Sequence, residues 1–214
     1  MILYDRRTQI LAACLSAVAG FVDAMAFREF GGFFVSFMSG NTTRLGVGLT
    51  TIGSGALFSG VLIVAFVAGS ACGSFVAQRA RGPRRAAVLL AVASLLALAA
   101  AIARFPISAV FMAVAMGAEN AVFEEDGDVR LGLTYMTGTL AKLGQKLAGA
   151  LTGANPWAWA PYLLLWSGLL AGAVLGAAMS LIVGLAGLWA AVAATLVLAA
   201  IFWRREAAGG DDTA

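Results

Sequence analysis

Six long apolar runs divide the chain. They cover residues 10–27, 57–78, 86–103, 107–123, 160–181 and 185–202, and each contains at most one charged residue. About 20 apolar residues carry an α-helix across the hydrocarbon core of a bilayer. In hydrocarbon every backbone N–H and C=O needs an internal partner, and a helix provides these partners within itself. The pattern therefore predicts an all-α integral membrane protein with about six transmembrane helices.

Two further segments, 30–51 and 131–151, differ from these runs. Both are rich in glycine and threonine, and each carries cations in its helical part: Arg44 in the first, Lys142 and Lys146 in the second. Each segment either crosses the membrane or enters and leaves from one side as a re-entrant short helix. Short polar helices can cross when other helices bury them, so composition alone leaves both arrangements open.

The distribution of lysine and arginine distinguishes the two arrangements, because these two residues accumulate on the cytoplasmic side of a membrane. With six crossings and both termini inside, 11 of the 14 cations lie on the inner side, and Arg28, Arg44 and Arg104 lie outside. With eight crossings, the arginine cluster at 79–85 falls opposite both arginine-bearing termini and the bias vanishes. The charges therefore favour six crossings, two re-entrant segments and cytoplasmic termini.

The two re-entrant segments also resemble each other. Residues 37–46 align without gaps on residues 135–144, with four identical and three conservative positions. The helix before each segment carries Asp-Ala at 23–24 or Asn-Ala at 120–121. The helix after each carries Gly-x-x-x-Gly, starting at 69 or 172. Three matches in the same order indicate an internal duplication.

This duplication divides the chain into a first membrane repeat, 1–104, a second, 105–206, and a C-terminal tail, 207–214, that we expect to be disordered. Each repeat holds three crossings, an odd number, so the two repeats have opposite orientations in the membrane. Inverted repeats of this kind are common in transporters, whose binding sites lie where the halves meet.

Two carboxylates in the apolar runs are candidates for function. A charged side chain in a membrane helix is costly, so it usually faces the bundle interior, pairs with a cation or binds protons or ions. Asp23 can equally form a structural pair with Arg44 or accept hydrogen bonds from the re-entrant backbone. Glu119 can equally lie at the inner interface beside Glu124 and Glu125.

The glycine turns of the two segments are candidates for binding a solute. Ser, Thr and Asn are good helix N-caps, and glycine lets backbone N–H groups approach a ligand. If both short helices begin near the midplane, their positive ends favour an anion or a negative dipole there. The alternative is simple capping of two buried helix ends. The candidate substrate-binding residues are Asp23, Ser39, Gly40, Asn41, Thr42, Arg44, Glu119, Asn120, Thr137, Gly138, Thr139 and Lys142.

Arg44 and Lys142 lie one helical turn after the glycine of each segment. As functional residues they would line the outer and inner vestibules of an anion path. As structural residues they would extend to the membrane interface or pair with Asp23 and Glu119.

Composition argues against several other classes. The chain is 61% hydrophobic and 12% charged, with a mean hydropathy of +0.92, whereas soluble domains carry about 25% charged residues. Its net charge of +3 comes from short basic clusters between apolar runs, which indicate topology and no nucleic-acid surface. Histidine is absent and the two cysteines lie in apolar runs, so we expect no metal and no other cofactor. For the same reason an intramembrane enzyme is the least favoured function.

The chain resembles the YoaK-like family of bacterial inner-membrane proteins, a domain of unknown function. The resemblance rests on Gly-Phe-Val-Asp-Ala at 20–24, Phe-Val-Ser-Phe-Met-Ser-Gly-Asn-Thr-Thr at 34–43 and Tyr-Met-Thr-Gly-Thr-Leu at 135–140. It covers nearly the whole chain and implies a multi-pass protein of the bacterial inner membrane, without an established activity. One departure is visible, because members usually carry Gln-Asn-Ala where this chain has Glu119-Asn120-Ala121.

These features favour translocation of a small polar or anionic solute, with coupling to protons as a further hypothesis. The alternative is a non-transporting membrane scaffold or accessory protein. A polar path where the repeats meet would favour transport, and a dry packed interface would favour the scaffold. The expected partners are the lipid bilayer and a small solute or ion, and the pattern is compatible with a homo-oligomer.

Overall fold

The computed structural model describes residues 5–51, 54–103, 105–125, 128–129 and 133–209, and these residues are mainly helical. The α-helices are α1 (Arg6–Glu29), α2 (Met38–Thr51), α3 (Ser54–Arg79), α4 (Arg84–Ala101), α5 (Ile107–Glu119), α6 (Met136–Leu151), α7 (Ala160–Val183) and α8 (Leu188–Gly209). Short 3-10 segments continue α5 (Asn120–Phe123) and separate α7 from α8 (Gly184–Gly187). Two short strands, β1 (Glu124–Glu125) and β2 (Asp128–Val129), pair antiparallel after α5.

The six apolar runs become α1, α3, α4, α5 with its 3-10 continuation, α7 and α8. Within the described residues, four helical stretches are long and apolar enough to cross a membrane: Arg6–Glu29, Gly55–Arg79, Arg84–Ala101 and Ala160–Ala208. The last has 49 residues, or about 73 Å of helix, more than twice the thickness of the hydrocarbon core. Gly184, with φ 58°, interrupts it and separates α7 from α8. The expected helical membrane architecture is therefore confirmed.

Two details differ from the sequence-based expectation. The helix α8 continues to Gly209, three residues into the predicted tail, and residues 210–214 lie outside the described part. Arg104 and Arg130, which entered the charge argument, also lie outside it. The pair β1–β2 adds a small element that apolar periodicity does not predict, because two-residue strands leave no period to detect.

Local sequence explains where α1 begins and ends. The Asp5 side chain accepts a hydrogen bond of 3.2 Å from the Thr8 N–H, which satisfies one free donor of the first turn. The helix ends before Gly31 and Gly32, whose φ angles of 73° and 85° favour glycine. These glycines turn the chain back towards α1 and so position the next segment.

The main helix pairs are α1 with α7, α3 with α5, and α4 with α8, while α2 packs on α3 and α6 on α7. The outer surface of this bundle is apolar. Val64, Leu181 and Ile182 are 68%, 70% and 79% exposed, which suits contact with lipid tails rather than water. Cys14 and Cys72 are also exposed and free.

Glycines bring the helix pairs α1–α7 and α3–α5 into close contact. At seven of the described positions a methyl group in place of the glycine hydrogen would overlap the backbone carbonyl of the facing helix, and four of these positions form two related sets. The pairs are Gly172 with Ala17 and Gly176 with Phe21 in α1–α7, and Gly69 with Val114 and Gly73 with Ala118 in α3–α5. Close backbone approach through small residues is typical of membrane helices. The two sets occupy related positions. Each α1 residue lies 97 positions before its α5 counterpart, and each α7 glycine lies 103 positions after its α3 counterpart.

Candidate functional site

The first polar turn, residues 35–40, lies against the C-terminal part of α1. Asp23 Oδ1 accepts hydrogen bonds from the backbone N–H groups of Val35 at 2.7 Å and Ser36 at 2.8 Å. Hydrogen bonds to a carboxylate are stronger than neutral ones, so Asp23 fixes the level at which this turn meets α1. Of the two structural alternatives for Asp23, the structure shows the backbone bonds.

Arg44 lies further along α2 and contacts the loop after α1. Its guanidinium donates hydrogen bonds to the carbonyls of Gly32 at 2.9 Å and Gly31 at 3.2 Å. It also lies over the Phe33 ring, 4.1 Å from the centroid, as a cation–π contact. Among the described residues the alternative of an Arg44–Asp23 pair is therefore not the one formed, because backbone carbonyls and an aromatic ring satisfy the guanidinium instead.

Asn41 is fully buried and secures the same turn from within. Its side chain accepts a hydrogen bond from the Phe34 N–H at 3.1 Å and donates one to the Phe34 carbonyl at 2.6 Å. The hydroxyls of Thr42 and Thr139 donate to the carbonyls of Met38 and Tyr135 inside their own helices. These three candidates use polar atoms to hold the backbone.

The second polar turn, residues 133–138, is held by different contacts. Asn120, related to Asp23 by the repeat, donates from Nδ2 to the Met116 carbonyl at 3.0 Å. Its Oδ1 accepts a hydrogen bond of 3.5 Å from the hydroxyl of Thr134, the residue related to Ser36. Both first helices of the two repeats thus contact the related position of the following turn.

The two polar turns face each other across a cavity of about 280 Å³, here called the turn cavity. It is lined by Ser36, Phe37, Met38, Ser39, Phe66, Thr134, Tyr135, Met136, Thr137 and Gly138. Apart from Phe66 and Gly138, these residues form four related pairs from the two turns. The cavity combines hydroxyl groups with aromatic and thioether side chains, and so can accommodate a solute with both polar and apolar parts.

A second cavity of about 580 Å³, here called the α1–α7 cavity, adjoins the first. The two share the lining residues Ser36, Phe37, Thr134 and Met136. From there the larger cavity extends along α1 and α7 past Asp23 to Arg28. The two cavities therefore lie side by side: the larger extends to the Arg28 end of α1, and the smaller lies where the two polar turns meet.

The sequence-predicted residues divide into three groups. Ser39, Thr137 and Gly138 line the turn cavity, and Asp23 lines the adjoining one. Gly40 packs against an aromatic ring, because a Cβ there would lie 2.6 Å from Phe37 Cδ1. The remaining candidates, which form the third group, line neither cavity: Asn41, Thr42, Arg44, Glu119, Asn120, Thr139 and Lys142.

Glu119 has an unusual environment. Its side chain is fully buried, so it does not lie at the interface beside solvent, and neither carboxylate oxygen has a hydrogen-bond partner within the described part of the chain. Lys142 is exposed on α6. Among the described residues, no three His, Cys, Asp or Glu side chains are grouped so that they could hold a metal ion.

Sequence reasoning missed Ser36 and Thr134, which line both cavities. The signal was present, because the repeat extends upstream from the aligned ten residues as Val35-Ser36 against Leu133-Thr134. Phe66 carries no comparable signal, since it is one of many apolar residues in α3.

Comparison with known proteins agrees with a membrane protein. The family described as "Protein of unknown function (DUF1275)" matches residues 11–201. A UPF0700 transmembrane protein of Rhizobium meliloti (strain 1021) is 39% identical over 208 residues, which cover 94% of this chain and 90% of that protein. No solved structure gives a significant match. The chain belongs to the DUF1275 family, a family of transmembrane proteins of unknown function.

Proposed function

We propose that this protein moves a small polar or anionic solute across the membrane through the turn cavity, without a catalytic step. The observation that carries the proposal is the meeting of two duplicated, hydroxyl-bearing turns around one cavity, with a second cavity adjoining it. A scaffold needs no such space and gains stability from closing it. Because the carboxylate of Asp23 is bound by two backbone N–H groups, proton coupling at Asp23 is not part of the proposal.

The contacts of α2 support a re-entrant segment. The chain returns from the end of α1 to Asp23, which lies six residues, or about 9 Å, before that end. Then α2 runs back, because Arg44 reaches the carbonyl of Gly32 just after α1. From there α3 runs antiparallel to α2, as the approach of Gly48 to Ala56 indicates. The segment thus enters and leaves on the side where α1 ends.

The glycine contacts support two inverted repeats of three crossings. Each first helix, α1 or α5, packs on the third helix of the other repeat, α7 or α3, at related positions. We place the protein in a bacterial inner membrane with both termini in the cytoplasm, because this arrangement leaves most cations on the inner side.

Cysteine labelling tests this topology. Cys14 and Cys72 are exposed, so both are first replaced by alanine. Gly82→Cys in the loop between α3 and α4 should then react with a membrane-impermeant maleimide only after the cells are opened. Labelling of this cysteine in intact spheroplasts would contradict the six-crossing arrangement.

Flux measurements in proteoliposomes test transport. The probes are glycerol, urea and formate, each followed by osmotic swelling. Gly138→Leu places a side chain at the turn cavity where the structure has no atom within 4 Å, so flux of the accepted probe should fall while the protein stays folded. Gly144→Leu is the matched control, because it lies on the same helix, also has free space and does not line the cavity. Equal flux in both variants and the parent protein would sink the proposed path.

A further inference from the structure

We infer that the protein is a carrier with two alternating access routes to the turn cavity, and that the structure is the state with the α1–α7 route open and the α3–α5 route closed. The inference rests on the proposed function and specifies how the solute reaches its site. It follows from comparing related positions of the two repeats.

The open route is the α1–α7 cavity. Ala24 of α1 and Ala173 and Ala177 of α7 line it and are half-buried. Near its outer end Phe27 and Arg28 also line the space. The cavity lined by these residues reaches the first polar turn, where Ser36 and Phe37 also line it.

The related positions in α3–α5 are closed. Asn120 and Ala121, related to Asp23 and Ala24, are each only 2% exposed. Ser74 and Glu124 stand where the open half has Ala177 and Phe27. The Ser74 hydroxyl donates a hydrogen bond to the Glu124 carboxylate, and Glu124 is itself 7% exposed. This bond ties α3 to the segment after α5 at the point where the related cavity would open.

Aromatic packing reinforces the closure. The Phe123 and Phe202 rings meet edge to face, with centroids 6.2 Å apart. The Arg85 guanidinium lies over both rings, 5.6 Å from the first centroid and 5.9 Å from the second. Arg85 thereby connects the start of α4 with α8 and with the 3-10 segment after α5, next to Glu124.

In the inferred second state the two halves exchange these packing arrangements. If the closed half opens while the open half closes, the turn cavity becomes accessible from the opposite side, which is alternating access by inverted repeats. A channel would instead have both routes open together. The residues that keep the second route closed are Ser74 and Glu124, supported by Arg85.

Single cysteines at Ala24 and Ala121, in a chain with Cys14 and Cys72 replaced by alanine, test the access routes. An impermeant maleimide should label Ala24→Cys from the side of Arg28 and leave Ala121→Cys protected from both sides. Adding Ser74→Ala removes one hydrogen bond to a carboxylate, so labelling of Ala121→Cys from the opposite side should rise at least about tenfold. An unreactive Ala24→Cys, or an Ala121→Cys that reacts freely without Ser74→Ala, would overturn the inference.

Two variants control for general loosening. Ser74→Thr keeps the hydroxyl and should keep Ala121→Cys protected. Ser180→Ala removes a similar hydroxyl–carboxylate bond, 2.6 Å to Glu29, in the other helix pair and should not expose Ala121→Cys. If Ser180→Ala exposes Ala121→Cys as strongly as Ser74→Ala does, Ser74–Glu124 is no specific gate and the inference fails.

A double-cysteine experiment separates a carrier from a channel. In Ala24→Cys/Ala121→Cys/Ser74→Ala, prior labelling of Ala24→Cys should block labelling of Ala121→Cys from the other side, because only one route opens at a time. Independent labelling overturns the carrier and leaves transport through the turn cavity standing. Mutually exclusive labelling without flux of any probe supports the two states and overturns the proposed transport instead.

Discussion

The two polar turns have related sequences but different anchors. The first turn is bound to α1 by the carboxylate of Asp23 at 2.7 and 2.8 Å, and internally by Asn41. The second turn meets its helix through a 3.5 Å contact between Thr134 and the amide of Asn120, and the Ser16 hydroxyl of α1 donates a hydrogen bond to the Leu133 carbonyl at 3.2 Å. The first turn is therefore anchored by a carboxylate, and the second by neutral hydrogen bonds, which are weaker.

The helix pairs that carry these turns, α1–α7 and α3–α5, are in contrast alike, and we call each pair a frame. Related glycines lie against related backbone carbonyls in α1–α7 and α3–α5. A duplicated frame with unequal contacts at its centre can hold one route open and the other closed. The comparison predicts that frame substitutions act equally in both halves, whereas substitutions at the turns do not.

The largest effect is expected in the frame. Gly172→Val and Gly69→Val each force a side chain into the backbone carbonyl of the facing helix, Ala17 or Val114. Backbone relaxes less easily than side chains, so we expect a loss of roughly 3 kcal/mol of unfolding free energy, at the upper end for overpacking. Thermal unfolding in detergent measures both losses. Gly46→Val on α2, where the structure has free space, is the control.

A strong loss in only one of the two frame variants would contradict the similarity of the halves. It would mean that the paired glycine sequences do not occupy related positions in the membrane.

The next largest loss of stability is expected at the turns, and it should differ between the first turn and the second. Asp23→Ala leaves the N–H groups of Val35 and Ser36 without their acceptor, and we expect a loss of about 2 kcal/mol. Asn120→Ala removes one hydrogen bond to the Met116 carbonyl and a long contact to Thr134, so it should cost about 1 kcal/mol. Urea unfolding of both variants in detergent tests the order. Equal losses would show that both turns are anchored alike.

The sequence was sufficient to predict the helices. Apolar runs follow directly from contact with lipid, so the ends of α1 and α3 were predicted to within a few residues. The matching Gly-x-x-x-Gly sequences that start at Gly69 and Gly172 also correspond to helix packing in the structure, because close backbone approach requires glycine at both places.

The partners of polar side chains could not be predicted in the same way. Charge suggested that Arg44 meets Asp23, but a guanidinium is equally satisfied by carbonyls and an aromatic ring once a turn brings these groups within reach. A position of Glu119 at the inner interface was one of two open alternatives, and the side chain is fully buried instead. Such outcomes depend on how helices far apart in sequence pack together, which local patterns do not encode.

A smaller effect on stability should distinguish the two turn glycines. Gly138→Ala meets no atom within 4 Å, so it should stabilise α6 by about 0.5–1 kcal/mol while reducing flux. Gly40→Ala gains the same helical preference but displaces the Phe37 ring, so its net change in stability should be near zero. Thermal unfolding and proteoliposome flux, measured on the same preparations, test both. Unchanged flux in Gly138→Ala would place the solute away from the second turn.

The smallest effect is expected at the end of the bundle where Arg205 of α8 contacts Asp5 at 3.3 Å. Hydrogen bonds from the Thr8 hydroxyl and backbone N–H, together with the Arg205 charge, hold the pKa of Asp5 below its ordinary value of 3.8. A carboxyl with a lowered pKa stabilises the folded state above its unfolded pKa, and this stabilisation is lost as the pH falls through the folded pKa. Asp5→Asn should therefore lower the unfolding temperature slightly at pH 7, and this difference should disappear once the pH is well below the folded pKa. Because Asp5 is solvent-exposed and its ion pair is screened, high salt should reduce the pH 7 difference. A difference between Asp5→Asn and the parent protein that persists at that low pH would mean that the side chain acts through packing rather than charge.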